Sequence, residues 1–315
     1  MKKLLIAALA AAALAGCNRS PEFYFSRGNH YLSAGNDSAA LENYNKALLL
    51  KKLFPEALTS RGMLFERMGD RQKAGLDYRK AIELKPDYLP AYNNLGAMMM
   101  DAENYKEAVA LFTQALKAKK DYSYALLNRG LSHYKLGDCA AASADLSRAL
   151  QLNPKAELAY YHRALCARKA RNYAAAVADL DSVIELNPAA ALARFERGKA
   201  YYYMADYAAS VQDFSAAAGL KADDPGYHYW LALALVKTRY YEGALDAARK
   251  TSELAPDQYQ PHGLLGDIYA AMGDREAAAA EYGKAAELAP TFAAVYRSKL
   301  AALQKPAAPA RKKRN

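Results

Sequence analysis

Nothing in this 315-residue chain assembles a reaction centre. Its five histidines, His30, His133, His162, His228 and His262, are scattered singly, and no two stand at a metal-ligand spacing. No nucleophile–base arrangement recurs, and there is no glycine-rich loop of the phosphate-cradling kind. These absences point away from an enzyme and from a bound metal or cofactor. Long apolar runs are also missing. The longest lies at the N-terminus and is well short of the ~20 residues that cross a bilayer. Cysteine is scarce, with Cys17, Cys139 and Cys166 the full complement.

What the chain has instead is a period. Gly28, Gly62, Gly96, Gly130, Gly198 and Gly266 lie on one series of step 34, with Ala164 and Ala232 in its two remaining places. A second series holds Ala40, Ala74, Ala108, Ala142, Ala176, Ala244 and Ala278, with Ser210 as the exception. A third holds Pro86, Pro154, Pro188, Pro256 and Pro290. Eight units without an insertion run 21–54, 55–88, 89–122, 123–156, 157–190, 191–224, 225–258 and 259–292. Numbering places from 1 within each unit, place 8 is Gly or Ala, place 20 is Ala or Ser, and place 32 carries the prolines.

The columns make physical sense as two packed helices. Small residues at places 8 and 20 let the helices approach, and large ones at 4, 11 and 24 fill the space around their crossing. Gly69, Gly137 and Gly273, each followed by Asp70, Asp138 or Asp274, supply a turn that accepts positive φ and then a cap for the second helix. Proline at place 32 ends that helix by pushing its predecessor out of the α region. Such a unit cannot bury its apolar face alone, so it is stable only when stacked. The chain therefore presents a surface and encloses no chamber for chemistry.

Period and columns together resemble the tetratricopeptide repeat. The resemblance implies an all-α fold, a right-handed α-solenoid of eight helix–turn–helix repeats over 21–292, closed by a capping helix over 293–303. It also implies a non-enzymatic scaffold that binds a protein partner. The carboxylate clamp of the chaperone-binding class is absent: Asn94 and Asn128 stand at place 6, but Thr59 with Met63 and Asn93 with Ala97 precede them.

Residues 1–16 read as a secretory signal. Lys2 and Lys3 open it, an apolar run follows from Leu4, and Leu14-Ala15-Gly16-Cys17 ends it. That ending resembles the bacterial lipobox, which implies acylation of Cys17 and a membrane anchor through the N-terminal lipid. Asn18 in place of Asp resembles lipoproteins sorted to the outer membrane, facing the periplasm; a host with one membrane would hold the same anchor in its plasma membrane. Only residues 18–20 separate the lipid from the first helix, a reach of roughly 10 Å at about 3.5 Å per residue. Within the family, the whole resembles envelope lipoproteins of two kinds, NlpI-like adaptors of peptidoglycan hydrolases and pilotin-like lipoproteins of the type IV pilus. An accessory subunit of an envelope enzyme or export machine is the alternative.

The formal charge of +10 falls to +8 without Lys2 and Lys3. The Pro/Ala-rich segment 304–315 holds five of those charges, Lys305, Arg311, Lys312, Lys313 and Arg314, and reads as a basic disordered tail able to touch an anionic surface. The remaining +3 is an ordinary surface, and nucleic acid is not an expected partner of an exported lipoprotein. Cys139 and Cys166 fall on helices that stack as neighbours in an oxidising compartment, so a disulfide is open to them. Two separate thiols, Cys166 in the core, is the favoured reading.

Two sets of residues are candidates for a site. Place 7 holds Arg27, Arg61, Arg129, Arg163 and Arg197, a row that could bind anions. Place 23 answers Arg61 with Asp77, Arg129 with Asp145, Arg163 with Asp179 and Arg197 with Asp213, while Arg27 meets Asn43. This matching favours structural ion pairs inside each repeat. The second set is the concave face that the family lines with places 2, 5, 9, 12 and 13. In repeats 4 to 7 it offers Tyr124, Leu127, Leu131, Tyr134, Tyr161, Leu165, Phe195, Tyr202, Tyr203, Tyr229 and Leu233, with Lys199 available to an acidic segment. In repeats 1 to 3 it offers Glu22, Asn29, Thr59, Glu66, Asn93 and Ala97. An aromatic partner-binding groove is therefore expected in the C-terminal half.

Overall fold

The computed structural model describes residues 19–304, which divide into two compact units between Pro154 and Lys155. Cys17 and the basic tail 305–315 lie outside the described residues. The first unit contains four antiparallel helix pairs: Pro21–Ser33 with Asp37–Leu50, Pro55–Arg67 with Arg71–Leu84, Leu89–Asp101 with Tyr105–Ala118, and Ser123–Lys135 with Cys139–Leu152. The second contains four more: Glu157–Lys169 with Tyr173–Leu186, Ala191–Tyr203 with Tyr207–Leu220, Pro225–Lys237 with Tyr241–Leu254, and Tyr259–Met272 with Arg275–Leu288. A short 3-10 turn, Pro290–Phe292, then leads into a last helix, Ala293–Gln304. We call the two helices of each pair A and B. No strand occurs among the described residues. Within each unit, helix B packs on the next helix A, and successive A helices touch one another along one side.

The close approach of A and B is set by two columns. Every residue at place 20, from Ala40 to Ala278 and including Ser210, is fully buried. At place 8, a Cβ added to Gly28, Gly62, Gly96, Gly198 or Gly266 would stand 2.5–2.8 Å from the ring at place 24 of the same repeat. Those rings are Tyr44, Tyr78, Phe112, Phe214 and Tyr282, each almost wholly buried. Alanine replaces this glycine only at Ala164 and Ala232, where place 24 is Leu180 or Ala248. The two columns therefore trade volume, as a close-packed core requires.

All eight A–B turns place one residue in the left-handed region at place 15. Four are glycines, Gly35, Gly69, Gly137 and Gly273, with φ between 75° and 88°. Four are not: Glu103, Arg171, Ala205 and Arg239 adopt φ 59–63°. The next residue caps helix B. Asn36, Asp70, Asp138, Asn172, Asp206 and Asp274 each accept a hydrogen bond from the backbone N–H three residues on. Repeats 3 and 7 have neither glycine nor cap bond: Asn104 follows Glu103 without accepting one, and Tyr240 follows Arg239. Helix B ends at place 31 in extended backbone in every repeat, including Lys51, Lys119 and Lys221, which no proline follows. The stop is thus a property of the stacked repeat, and proline only reinforces it.

The last helix closes the second unit. Tyr296 is buried, with its ring over Gly263, where a Cβ would fall 2.5 Å from the phenol oxygen. Tyr259 stacks on Phe292 at 5.2 Å. Lys299 Nζ lies 2.5 Å from Asp267 Oδ1, at place 9 of the last A helix.

Candidate partner-binding face

The arginine row is engaged inside the repeats. Arg61 donates from Nε and Nη2 to both oxygens of Asp77 at 2.8 Å. Arg129 does the same to Asp145 at 2.7 Å, Arg163 to Asp179 at 2.9 and 2.6 Å, and Arg197 to Asp213 at 2.7 and 2.6 Å. The four carboxylates are 4–7 % exposed. The third guanidinium nitrogen reaches helix B of the preceding repeat. It donates from Arg61 to Asn45 at 2.7 Å, from Arg129 to Thr113 at 3.1 Å and from Arg197 to Asp181 at 2.5 Å. One side chain therefore ties three helices through a planar fork, a task lysine cannot perform. Hydrogen bonds donated to Asp213 raise the Arg197 pKa further despite its burial. Arg27 and Asn43 do not pair: Arg27 donates to Tyr31 at 3.0 Å, and Asn43 donates to the Ala39 carbonyl. In the last repeat Glu281 at place 23 meets His262 at 2.6 Å instead.

In the first unit, the polar side chains on the A-helix face are partly consumed by the core tyrosines beneath. Asn29 accepts from the Tyr44 hydroxyl at 2.7 Å, and Glu66 accepts a very short bond from Tyr78. Burial pushes the Tyr44 phenol up to about 12. Thr59 is 3 % exposed, and Asn93 accepts from Asn128 at 3.4 Å. In repeat 4 of this unit, Tyr124 is 65 % exposed, while Leu127, Leu131 and Tyr134 are half-buried.

In the second unit the face is built around the one tryptophan of the chain. Trp230 receives the edges of Tyr202 at 5.5 Å, Tyr203 at 6.1 Å and Phe195 at 6.4 Å. Phe195 in turn packs on Tyr227 at 4.7 Å and Phe214 at 5.6 Å, so it roots the surface rings in the core. Tyr203 is 50 % exposed and stacks on Tyr173 at 5.5 Å. Tyr161, Tyr202, Tyr229 and Leu233 are half-buried. A cavity of about 500 Å³ opens beside Tyr203 and Tyr173, lined by Arg168, Lys169 and Arg171.

Two of the expected partner contacts are already packed or paired within the chain. Leu165 is only 7 % exposed, on one helical row with Tyr161 and Arg168. Lys199 is engaged within the chain: its ammonium sits 2.7 Å from Glu196 and 4.7 Å over the Phe195 ring. Glu196 also faces Arg168 at 3.0 Å, so one buried carboxylate stands between two cations and the cluster stays net positive. Trp230 and Glu196 went unnoticed in the sequence because both stand at place 6, outside the columns that line the groove in this family. The uniqueness of Trp230 was the available signal. Cys139 and Cys166 are thiols, the first half-buried and the second buried.

Against known proteins, tetratricopeptide repeat models match residues 99–138, 127–191 and 195–259, and a second such model matches 55–88 and 259–292. The chain belongs to the tetratricopeptide repeat family. The last two matches coincide with repeats 2 and 8 as framed by the 34-residue period. Residues 1–18 match the prokaryotic membrane lipoprotein lipid attachment site. The chain is similar to a solved tetratricopeptide repeat protein from Parabacteroides merdae, at 22% identity and TM-score 0.55, covering 80% of this chain and 99% of that one. It is similar to YrrB, a TPR protein with an unusual peptide-binding site, at 24% identity and TM-score 0.55, covering 64% and 100%. Pseudomonas aeruginosa pilF aligns at 20% identity and TM-score 0.58, covering 67% and 96%. At these identities the likeness shows the shared fold. Among curated proteins no match was found. The repeats make this a protein–protein interaction scaffold, and the attachment site makes it a lipoprotein.

Proposed function

We propose that the protein is a non-enzymatic adaptor of the bacterial cell envelope, held by the lipid on Cys17 and binding a partner segment on the A-helix face of its second unit. Asn18 after the acylated cysteine directs it to the periplasmic side of the outer membrane in a host with two membranes, and to the plasma membrane in a host with one. The observation that carries the reading is the aromatic assembly at Trp230. Its rings rise from core Phe214 to half-exposed Tyr203 beside the net-positive Arg168–Glu196–Lys199 cluster and Arg171. Rings fixed by packing bury large area at little entropic cost, which is how interface hot spots arise. YrrB, of the same fold, carries a peptide-binding site, and a peptide segment bearing apolar and acidic side chains is the class of partner this face suits.

The test is recovery of partners from crosslinked membranes. Tyr203→Ala with Arg171→Glu changes two accessible side chains and should abolish recovery while leaving the thermal midpoint within a degree or two. Thr59→Ala with Asn93→Ala in the first unit should leave recovery intact. Loss of recovery in the second pair alone would move the site to the other unit.

A further inference from the structure

The eight repeats act as one another's controls, and the first departs from the other seven at one end. Place 29 is Leu49 in repeat 1, but Glu83, Lys117, Gln151, Glu185, Gly219, Glu253 and Glu287 elsewhere. Place 33 is Leu53 in repeat 1, but Asp87, Asp121, Lys155, Ala189, Asp223, Asp257 and Thr291 elsewhere. Both leucines face solvent, Leu49 at 76 % and Leu53 at 66 % exposure, with Leu50 between them at 50 %. Exposed leucine at place 30 recurs in other repeats, as at Leu186 and Leu220, so Leu50 is ordinary. Leu49 and Leu53 are not: they stand where every other repeat carries a charged, polar or small side chain.

The position of these leucines matters as much as their exposure. Helix B runs antiparallel to helix A, so the end of B in repeat 1 lies beside the start of the chain's first helix. Lys51 Nζ is 3.1 Å from Glu22 Oε1, and Phe25 packs on Phe54 at 5.1 Å. Phe23, 39 % exposed, carries the Arg19 guanidinium over its ring at 4.4 Å. Cys17 is two residues before Arg19, a reach of roughly 7 Å at about 3.5 Å per residue. Lys51 and Lys52 lie between Leu50 and Leu53 in the chain and Lys46 one helical turn before them, with Lys51 and Lys46 paired to Glu22 and Glu42.

We infer that Leu49, Leu53 and the flanking Lys52 form a second membrane contact, which dips into the interface of an anionic phospholipid leaflet and fixes how the first repeat stands on it. A single acyl anchor tethers without orienting. Apolar side chains at the headgroup boundary with lysines above them supply orientation, since the leucines gain by leaving water and the ammoniums meet lipid phosphates. The occupant is the bilayer because Lys51, between these leucines in the chain, pairs with Glu22, which stands five residues after the lipid attachment site at Cys17. The inference rests on the lipoprotein assignment.

The experiment uses the full chain, expressed and processed in a bacterial host and reconstituted into vesicles of 70 % phosphatidylethanolamine and 30 % phosphatidylglycerol, part of it brominated in the acyl chains. Trp230→Phe removes the resident tryptophan, and Leu53→Trp places a reporter in the patch. Asp121→Trp places one at the same position of repeat 3. Flotation with the vesicles tests the anchor separately: a chain that does not float defeats the lipoprotein reading and this inference with it. For a chain that floats, fluorescence of the reporter at 53 should fall at least twofold with brominated lipid, and that at 121 should not change. Absence of quenching at 53, or equal quenching at both positions, overturns the inference. Leu49→Trp is the substitute reporter should Leu53→Trp fail to give a folded protein by circular dichroism.

Discussion

The two units are built to one repeat and differ in what they leave imperfect. In the first, three of four A–B turns use glycine at place 15, Glu103 being the exception. In the second only Gly273 does, and Arg171, Ala205 and Arg239 hold left-handed backbone that costs a residue with a Cβ about 1–2 kcal/mol. Each unit caps three of its four B helices with a side chain and leaves one repeat, 3 in the first and 7 in the second, with neither glycine nor cap bond, so the units differ in their turns and not in their caps. Side chains follow the same division. Core tyrosines of both units hydrogen-bond polar residues on the A-helix face, Tyr44 to Asn29 and Tyr78 to Glu66 in the first and Tyr282 to Asp267 in the second, but the second unit also turns rings outward around Trp230. The first unit thus spends its face on its own stability, and the second tolerates local strain and keeps apolar surface in reach of solvent. Surfaces that bind other proteins are commonly of the second kind.

The largest expected effect lies with the arginine forks. Arg197→Leu strands buried Asp213 and also releases Asp181, and should cost about 3 kcal/mol of stability. Arg61→Leu strands one carboxylate and a neutral amide, and should cost less. Urea unfolding of both variants checks the order. Adding Asp213→Leu to Arg197→Leu should restore more than 1 kcal/mol, because the stranded charge is gone. A double variant as weak as the sum of its singles would mean the pair does not act as a unit.

Overpacking comes next. Gly62→Ala drives a Cβ to 2.6 Å from the Tyr78 ring and should cost about 2 kcal/mol. Combining it with Tyr78→Leu recreates the pairing that the second unit has at Ala164 and Leu180, so the double variant should lose less than the two singles added. Strict additivity in thermal unfolding would show that the two columns do not trade volume.

Two smaller changes should strengthen the second unit. Ser210 is fully buried, and its hydroxyl has no hydrogen-bond partner. Ser210→Ala removes a desolvated polar group at a column that is otherwise alanine and should stabilise by about 1 kcal/mol. Ala205→Gly relieves a left-handed turn at φ 63° and should stabilise by about 0.5–1 kcal/mol, after the extra freedom of glycine in the unfolded chain is subtracted. The equivalent Gly69→Ala in the first unit should act in the opposite sense. Denaturant midpoints that move the same way for both would remove the turn from the comparison between units.

The fold was legible because a period of 34 repeats the same constraint eight times, so a column such as place 8 reports its packing role without any structure. The pairing of Arg61 with Asp77 and its counterparts was legible for the same reason. What escaped were features that occur once. Trp230 stands in no column of its own kind, and its meaning comes from rings contributed by the preceding repeat, Phe195, Tyr202 and Tyr203 from its helix A and Phe214 from its helix B. The engagement of Lys199 by Glu196, three residues away on its own helix, follows from burial that the residue types alone do not reveal. The third contact of Arg61, Arg129 and Arg197, to the preceding helix B, depends on how repeats stack. Non-glycine turns such as Arg239 looked like ordinary surface residues, since tertiary packing overrides their preference for the right-handed region.

The central claim is that the outward rings of the second unit, and not the polar face of the first, meet the partner. Site-specific photo-crosslinking in living cells tests this without destabilising either unit, with a photoreactive amino acid placed at Tyr203 or at Met63. Both side chains are about half exposed, and both stand on the A-helix face, one in each unit. The account predicts a discrete higher-mass adduct from position 203 and none from position 63. An adduct from position 63 alone would contradict it.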